Sequence, residues 1–123
     1  MKIGFDIHGV IDEYPDKYRD LINALIEDGV EIHILTGMTE SKAIPILEEH
    51  QIVYDHFYSI ADKWDDGVHV KWDEDGNPHM DEFIWNSSKG LYCAVHGIDI
   101  MIDDSIIYGK YMPNGTLYLQ QWK

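Results

Sequence analysis

Three places in the chain put a carboxylate or a hydroxyl group directly after a run of apolar residues. Asp6 ends the first run, Thr36 ends the second, and the pair Asp103 and Asp104 ends the last. A carboxylate at the exit of a buried strand loses hydration unless a cation or several hydrogen-bond donors compensate it. In an open sheet of parallel strands these ends share one edge, which is where such sheets bind ligands. We therefore expect the four residues to meet in one site.

Several carboxylates in one pocket need a counter-charge. In a medium of low dielectric constant their mutual repulsion is strong, so a divalent cation is expected beside them. A set of ligands made only of oxygen atoms favours Mg²⁺, which binds few carboxylates and keeps several waters. Asp6, Asp103 and Asp104 are thus the candidate magnesium ligands.

The elements that would position these groups alternate between strands and helices. The apolar residues from Ile3 to Ile7 predict a buried strand that stops at Gly9. Residues 16–28 carry apolar side chains at helical spacing before Gly29, and residues 30–35 predict a second strand. This order of strand, helix and strand is typical of parallel strands joined by a right-handed crossover.

The middle of the chain is expected to continue this order and then to interrupt it. A second helix is predicted from about Ser41 to His50, with Pro45 in its first turn, and a third strand over residues 54–60. Between Trp64 and Trp85, two apolar stretches flank a cluster of turn-forming residues. This pattern predicts a β-hairpin inserted over residues 64–85.

The last third of the chain returns to the alternating pattern. Ser87 and Ser88 are good N-cap residues, so a helix is predicted from Lys89 to His96, followed by a strand over residues 98–102. Residues 106–122 predict a closing hairpin or an edge strand. The predicted fold is a single α/β domain of residues 1–123. It is three-layered and Rossmann-like, with a mostly parallel sheet and helices on both faces.

Composition limits the partners and the location. The chain has 23 acidic and 9 basic residues, a formal net charge of −14, so it should repel nucleic acid. It has a single cysteine, Cys93, which fits a reducing compartment and is most simply a small core residue. No apolar run approaches the roughly 20 residues that span a bilayer. We expect a cytoplasmic protein with no membrane or nucleic-acid partner.

Four motifs also resemble, in order, those of the haloacid dehalogenase-like superfamily of phosphatases and phosphotransferases. They are Ile3-Gly-Phe-Asp6-Ile-His8-Gly9-Val10-Ile11, Ile32-His-Ile-Leu-Thr36-Gly37, Lys89, and Ile100-Met-Ile-Asp103-Asp104. The resemblance covers most of the chain and points to a small member without a cap domain. Four motifs in the right order are much more specific than any one of them.

The resemblance implies a role for each matching residue. Asp6 would attack phosphorus, Thr36 and Gly37 would hold the phosphoryl group, and Lys89 would neutralise its charge. Asp104, aided by Asp103, would bind Mg²⁺ together with Asp6 and the backbone carbonyl of residue 8. The implied function is a phosphatase that acts on a small phosphorylated metabolite such as a sugar phosphate or a nucleotide.

His8 departs from the family pattern. The usual phosphatases have a second aspartate there, which protonates the leaving group and then activates water. Imidazole, with an ordinary pKa of about 6.5, is able to do acid and base work. A protonated imidazole next to Mg²⁺ is disfavoured by charge, however, so the substitution leaves two predictions open: catalysis through His8, or slow or absent turnover.

The sequence leaves open alternatives for the motif lysine and for the function. Lys63 or Lys71 could be the motif lysine, although Lys89 leads most directly into the last strand. A catalytically silent module that binds phosphate or a partner is one alternative function. A Mg²⁺-dependent nuclease is another, although the net charge and the missing basic groove argue against it.

A calcium loop is rejected. Asp73, Asp75 and Asn77 match the start of such a loop, but Pro78 and Ile84 replace its required Gly and Glu.

Overall fold

A computed structural model describes residues 1–122 of the chain. The strands are β1 (Lys2–Phe5), β2 (Glu31–Thr36), β3 (His56–Ser59), β4 (Lys71–Trp72), β5 (Pro78–His79), β6 (Ile100–Asp103) and β7 (Leu117–Gln120). The helices are α1 (Pro15–Glu27), α2 (Glu40–Glu49), α3 (Ile60–Lys63), α4 (Glu82–His96) and α5 (Ile106–Gly109).

The central sheet has five strands in the order β3-β2-β1-β6-β7, and every neighbouring pair is parallel. The central strand β1 pairs Ile3 with Ile32 on one side and with Ile100 on the other. This register brings the carboxyl ends of β1, β2 and β6 to one edge. The predicted α/β class is confirmed, and the sheet is parallel throughout.

Alternating side chains of the strands face two separate cores. Ile3, Phe5 and Ile34 pack against side chains of α1 and α2, such as Ile22 and Leu47. On the other face, Leu35 and Met101 pack against Cys93 of α4, and Tyr92 borders the same core. Helices therefore cover both faces, as predicted, and Cys93 is a buried core residue.

The hairpin insertion is smaller than predicted. Only β4 and β5 pair as antiparallel strands, joining Lys71 to His79 and Trp72 to Pro78. The carboxylate of Asp73 closes the turn: its Oδ1 accepts the N–H groups of Asp75 and Asn77. Residues 82–85, which the sequence placed in the hairpin, belong to α4.

The predicted start of α4 at Lys89 is wrong. The helix begins at Glu82, and the Asp81 side chain caps it by accepting the N–H of Ile84 at 3.0 Å. Ser87, predicted as a cap, lies inside the helix, where its hydroxyl donates to the carbonyl of Phe83. Lys89 therefore lies in the middle of a 15-residue helix and not at its start.

Two smaller differences concern a proline and the chain end. Pro45 lies inside α2, beyond the first turn in which it was predicted. The last segment begins with the short helix α5 where an apolar strand or turn was expected; of the two predicted arrangements the edge strand is confirmed, since β7 pairs in parallel with β6 at the edge of the sheet. Within residues 1–122, no helix is long and apolar enough to cross a membrane.

Candidate active site

The Lys89 side chain joins two of the predicted strand-end carboxylates. Its Nζ donates to Oδ1 of Asp6 at 3.0 Å and to Oδ2 of Asp103 at 2.7 Å. The exposed fractions of Lys89, Asp6 and Asp103 are 1%, 5% and 0%. Because α4 covers the sheet face toward which both carboxylates point, the mid-helix position lets the ammonium reach between the two strand ends.

Burial shifts the pKa values of Asp6 and Lys89. It raises the pKa of Asp6 to about 7, and Asp103 adds to this effect while Lys89 opposes it. Burial by itself lowers the pKa of Lys89, but the carboxylates of Asp6 and Asp103 outweigh it and hold that pKa above its ordinary value. Lys89 is therefore a cation paired with both carboxylates, and burial holds the pKa of Asp6 above its ordinary value.

Asp103 and Asp104 occupy different environments although they are adjacent. Both carboxylate oxygens of Asp103 are engaged, Oδ2 by Lys89 and Oδ1 by the N–H of Ser105 at 3.1 Å. Asp104 is partly exposed and lines the cavity above. Carboxylate oxygens of Asp6, Asp103 and Asp104 lie within 4.8 Å of one another, close enough to surround one cation.

Thr36 and Gly37 lie at the end of β2, beside the carboxylates. The Thr36 hydroxyl accepts the N–H of Met38 at 3.1 Å, so its own proton can be given to a ligand. A Cβ atom on Gly37 would lie 2.6 Å from Cζ2 of Trp85, so a glycine is needed for the indole to pack there. Thr36 can therefore donate a hydrogen bond to a ligand, whereas Gly37 leaves the space that the Trp85 ring occupies.

His8 lies in a wide turn that follows β1. The N–H of Asp12 donates to the carbonyl of Ile7, and Gly9 adopts a φ of 80° that favours glycine. The carboxylate of Asp12 accepts the N–H of Gly9 at 2.7 Å and lies 3.2 Å from Nδ1 of His8. Asp12, to which the sequence assigned no role, both shapes the turn and orients the imidazole.

One cavity of about 490 Å³ collects the predicted site residues. Those that line it are Asp6, His8, Thr36, Gly37, Lys89 and Asp104. Asp103 lies beneath them, in contact with Lys89. The other lysines considered, Lys63 and Lys71, are exposed and are not among the lining residues. Of the three candidate lysines, Lys89 is the one that reaches Asp6.

The opposite wall of the cavity was not predicted. It is made of α2, the hairpin, α4 and α5, which contribute Lys42, Trp72, Trp85 and Tyr108 together with the hairpin residues 76–78. The turn of the small hairpin insertion thus forms part of the wall. Sequence patterns did not show this, because the contacts join elements that are distant in the chain.

Histidines gather at the opposite edge of the sheet. His33 is 1% exposed; its Nε2 is 2.7 Å from Oε1 of Glu31, and its Nδ1 is 2.7 Å from the hydroxyl of Tyr92. His56 stacks on the same ring and also faces Glu31. Burial lowers the pKa of His33, and its contact with Glu31 only partly opposes this. The cluster is separate from the cavity.

Comparisons of the chain with protein-family models, with curated proteins and with solved structures find no match.

Proposed function

We propose that this protein is a Mg²⁺-dependent phosphomonoester hydrolase that works through an aspartyl-phosphate on Asp6. The observation that carries the proposal is the buried Lys89 ammonium, held between Asp6 and Asp103 at the floor of a cavity lined by Asp104 and Thr36. A carboxylate attacks an anionic phosphate only where cations reduce the repulsion. Lys89 supplies one such cation at hydrogen-bond distance from the attacking group.

The proposed reaction has two steps. In the first step an oxygen of Asp6 forms a bond to phosphorus, and the bond from phosphorus to the ester oxygen breaks. The departing oxygen takes a proton and leaves as an alcohol. In the second step water attacks the phosphorus of the aspartyl-phosphate, which releases inorganic phosphate and restores the Asp6 carboxylate. Lys89 and the Thr36 hydroxyl are placed to stabilise the charge on the phosphoryl oxygens.

The residues present fit Mg²⁺. Asp6 and Asp104 line the cavity, whereas Asp103 is not a lining residue and is held by Lys89 and the N–H of Ser105. Oxygen ligands in small number are what Mg²⁺ prefers. We assign Asp6 and Asp104 as the carboxylates that would hold it, with the backbone carbonyl of His8 as the third protein ligand that the family resemblance implies. When bound, the ion would neutralise phosphate charge and lower the pKa of Asp6.

We assign the role of general acid and base to His8. Its side chain lines the cavity, and the carboxylate of Asp12 orients it through Nδ1. An imidazole oriented by a carboxylate is a working arrangement for proton transfer in enzymes. We assign it the proton that goes to the leaving oxygen and, in the second step, the proton that comes from water.

Phosphate release from a generic phosphomonoester tests the proposal. We expect release by the wild-type protein with Mg²⁺, none after chelation, and none by Asp6→Asn, which keeps the shape of the side chain but cannot attack. A single-stranded oligonucleotide should stay intact under the same conditions. Cleavage of the oligonucleotide that Asp6→Asn retains would favour a nuclease and overturn the proposal.

A silent binding module is the second candidate. His8 stands where a carboxylate would serve as acid and base, and its side chain is 79% exposed to solvent. A module of this kind would bind Mg²⁺ and phosphate at the same residues without turnover. Calorimetric binding of both ligands with no phosphate release would decide for it.

A further inference from the structure

Two indole rings, those of Trp72 and Trp85, line the cavity. The N–H group of each ring is hydrogen-bonded to another residue of the protein. Nε1 of Trp85 donates to the Tyr108 hydroxyl at 2.8 Å, and Nε1 of Trp72 donates to Asp65 at 3.1 Å. Both rings line the cavity, and Trp72 is 40% exposed. Because their N–H groups are bound within the protein, these side chains offer a ligand only their aromatic surfaces.

The Trp85 ring is fixed in place. Its six-membered ring packs against Gly37, where no Cβ atom would fit, and its nitrogen is bound to Tyr108. Tyr108 in turn lies under the Lys89 ammonium, whose Nζ is 4.8 Å from the phenol centroid. A continuous row of contacting side chains thus leads from Lys89 through Tyr108 to Trp85.

The hairpin supplies the far side of the cavity. Its turn brings Asn77 and Pro78 to the cavity together with Trp72. The Lys42 ammonium of α2 approaches the carbonyl of Gly76 at 3.4 Å and ties the turn to the helix. An amide side chain that can both donate and accept hydrogen bonds therefore lies on the same wall as an exposed aromatic ring.

We propose that the substrate is a nucleoside monophosphate, with the phosphate at Asp6 and Lys89 and the base stacked on the tryptophan wall. This inference rests on the proposed function and adds the substrate class. The cavity of about 490 Å³ is of a size that takes a ligand of this kind. A net charge of −14 also repels a single mononucleotide less than a nucleic acid strand, which carries a charge at every phosphate.

Ribose 5-phosphate is the matched comparison, because it has the same sugar and phosphate but lacks the base. We expect kcat/KM for adenosine or uridine 5′-monophosphate to exceed that for ribose 5-phosphate by about 5- to 150-fold, the effect of stacking one base on an aromatic side chain. Trp72→Leu, which keeps an apolar side chain of substantial size, should remove much of this ratio. Trp72→Phe should keep most of it. Trp122→Leu is the control, since Trp122 is 80% exposed and is not a lining residue of the cavity.

A binding measurement separates this inference from the proposed function. Quenching of tryptophan emission by the nucleotide, without Mg²⁺ and without turnover, should weaken in Trp72→Leu and not in Trp122→Leu. If no ester is hydrolysed but this quenching is seen, the proposed function fails and the nucleotide site stands. Equal kcat/KM for nucleotide and ribose 5-phosphate, unchanged by Trp72→Leu, overturns the inference and leaves the hydrolase intact. A Trp72-dependent preference for glucose 6-phosphate or phenyl phosphate over nucleotides also overturns it.

Discussion

Nζ of Lys89 lies 2.7 Å from Oδ2 of Asp103, and the two residues are 1% and 0% exposed. One comes from the middle of a helix and the other from the end of a strand. A buried ion pair of this kind is costly to break from one side, because the charge that remains is neither hydrated nor paired. The pair therefore couples the integrity of the site to the stability of the fold.

The first prediction is that Lys89→Met destabilises the protein by about 3–5 kcal/mol, the usual cost of removing one member of a buried pair. Two carboxylates would then face each other in an apolar setting. Urea denaturation measures the change. The double variant Lys89→Met with Asp103→Leu should recover part of the loss, and a double variant no more stable than Lys89→Met would argue against pairing as the cause.

The second prediction separates the two adjacent aspartates. Asp104→Asn should weaken Mg²⁺ binding at least tenfold and change the free energy of unfolding less than Asp103→Asn does, because Asp104 is partly exposed on the cavity side. Asp103→Asn should do the reverse, because its oxygens hold Lys89 and the N–H of Ser105. Calorimetric titration and denaturation on both variants measure this. Loss of Mg²⁺ binding confined to Asp103→Asn would exchange the two assignments.

The third prediction concerns proton transfer. His8→Asp should raise turnover by on the order of 10²–10⁴-fold, the usual contribution of general acid–base catalysis, less whatever His8 already supplies. The gain should be largest for an alkyl phosphate, whose leaving oxygen needs a proton, and smaller for nitrophenyl phosphate. Asp12→Asn tests whether the carboxylate of Asp12 orients the imidazole. It should lower turnover in the protein that keeps His8. No change with either substrate in His8→Asp would place proton transfer elsewhere.

The fourth prediction concerns Gly90, where a change to alanine should lower the stability of the protein and not raise it. In a helix interior, Gly→Ala normally stabilises by about 1 kcal/mol. At Gly90, in α4 next to Lys89, a Cβ atom would lie 2.1 Å from the carbonyl oxygen of Tyr111, which is backbone and cannot turn aside. Gly90→Ala should therefore destabilise, by roughly 1–3 kcal/mol. A stabilised variant in thermal or urea denaturation would show that α4 and the Tyr111 segment do not pack this closely.

The fifth prediction concerns pH. Burial lowers the pKa of His33 in the folded protein, so between this value and about 6.5 the unfolded chain binds a proton that the folded protein does not. The contribution of His33 to stability is therefore complete above about pH 6.5 and declines as the pH falls, by up to about 1.4 kcal/mol per pH unit. His33→Gln should reduce this slope, which urea denaturation at several pH values measures. An unchanged slope in His33→Gln would mean that His33 is not the titrating group.

The sheet and most of the site were predictable because they depend on local signals. Apolar runs that end in Asp6, Thr36 and Asp103 predict strands, and parallel pairing then brings their ends together. The start of α4 was not predictable in this way. The run Phe83 to Trp85 is compatible with a strand, but it is helical here because Asp81 caps the helix and Trp85 bonds to Tyr108 of α5.

The remaining features depend on contacts between residues that are far apart in the chain. Trp72 and Trp85 line one cavity because the hairpin comes close to α2, where Lys42 contacts the carbonyl of Gly76. His33 meets Glu31 along its own strand, but Tyr92 and His56 reach it only through the tertiary fold. No spacing in the sequence carries this information, since the contacts of Trp72, Tyr92 and His56 join different elements.

Trapping the aspartyl-phosphate tests the central claim most directly. The protein is mixed with substrate and Mg²⁺, quenched in acid, treated with borohydride to convert an acyl phosphate to homoserine, and digested for peptide mass analysis. We predict homoserine at position 6, absent without Mg²⁺ or substrate, and absent in Asp6→Asn. Rapid phosphate release with unmodified Asp6 at every quench time, together with full activity of Asp6→Asn, would contradict the claim that Asp6 is the nucleophile.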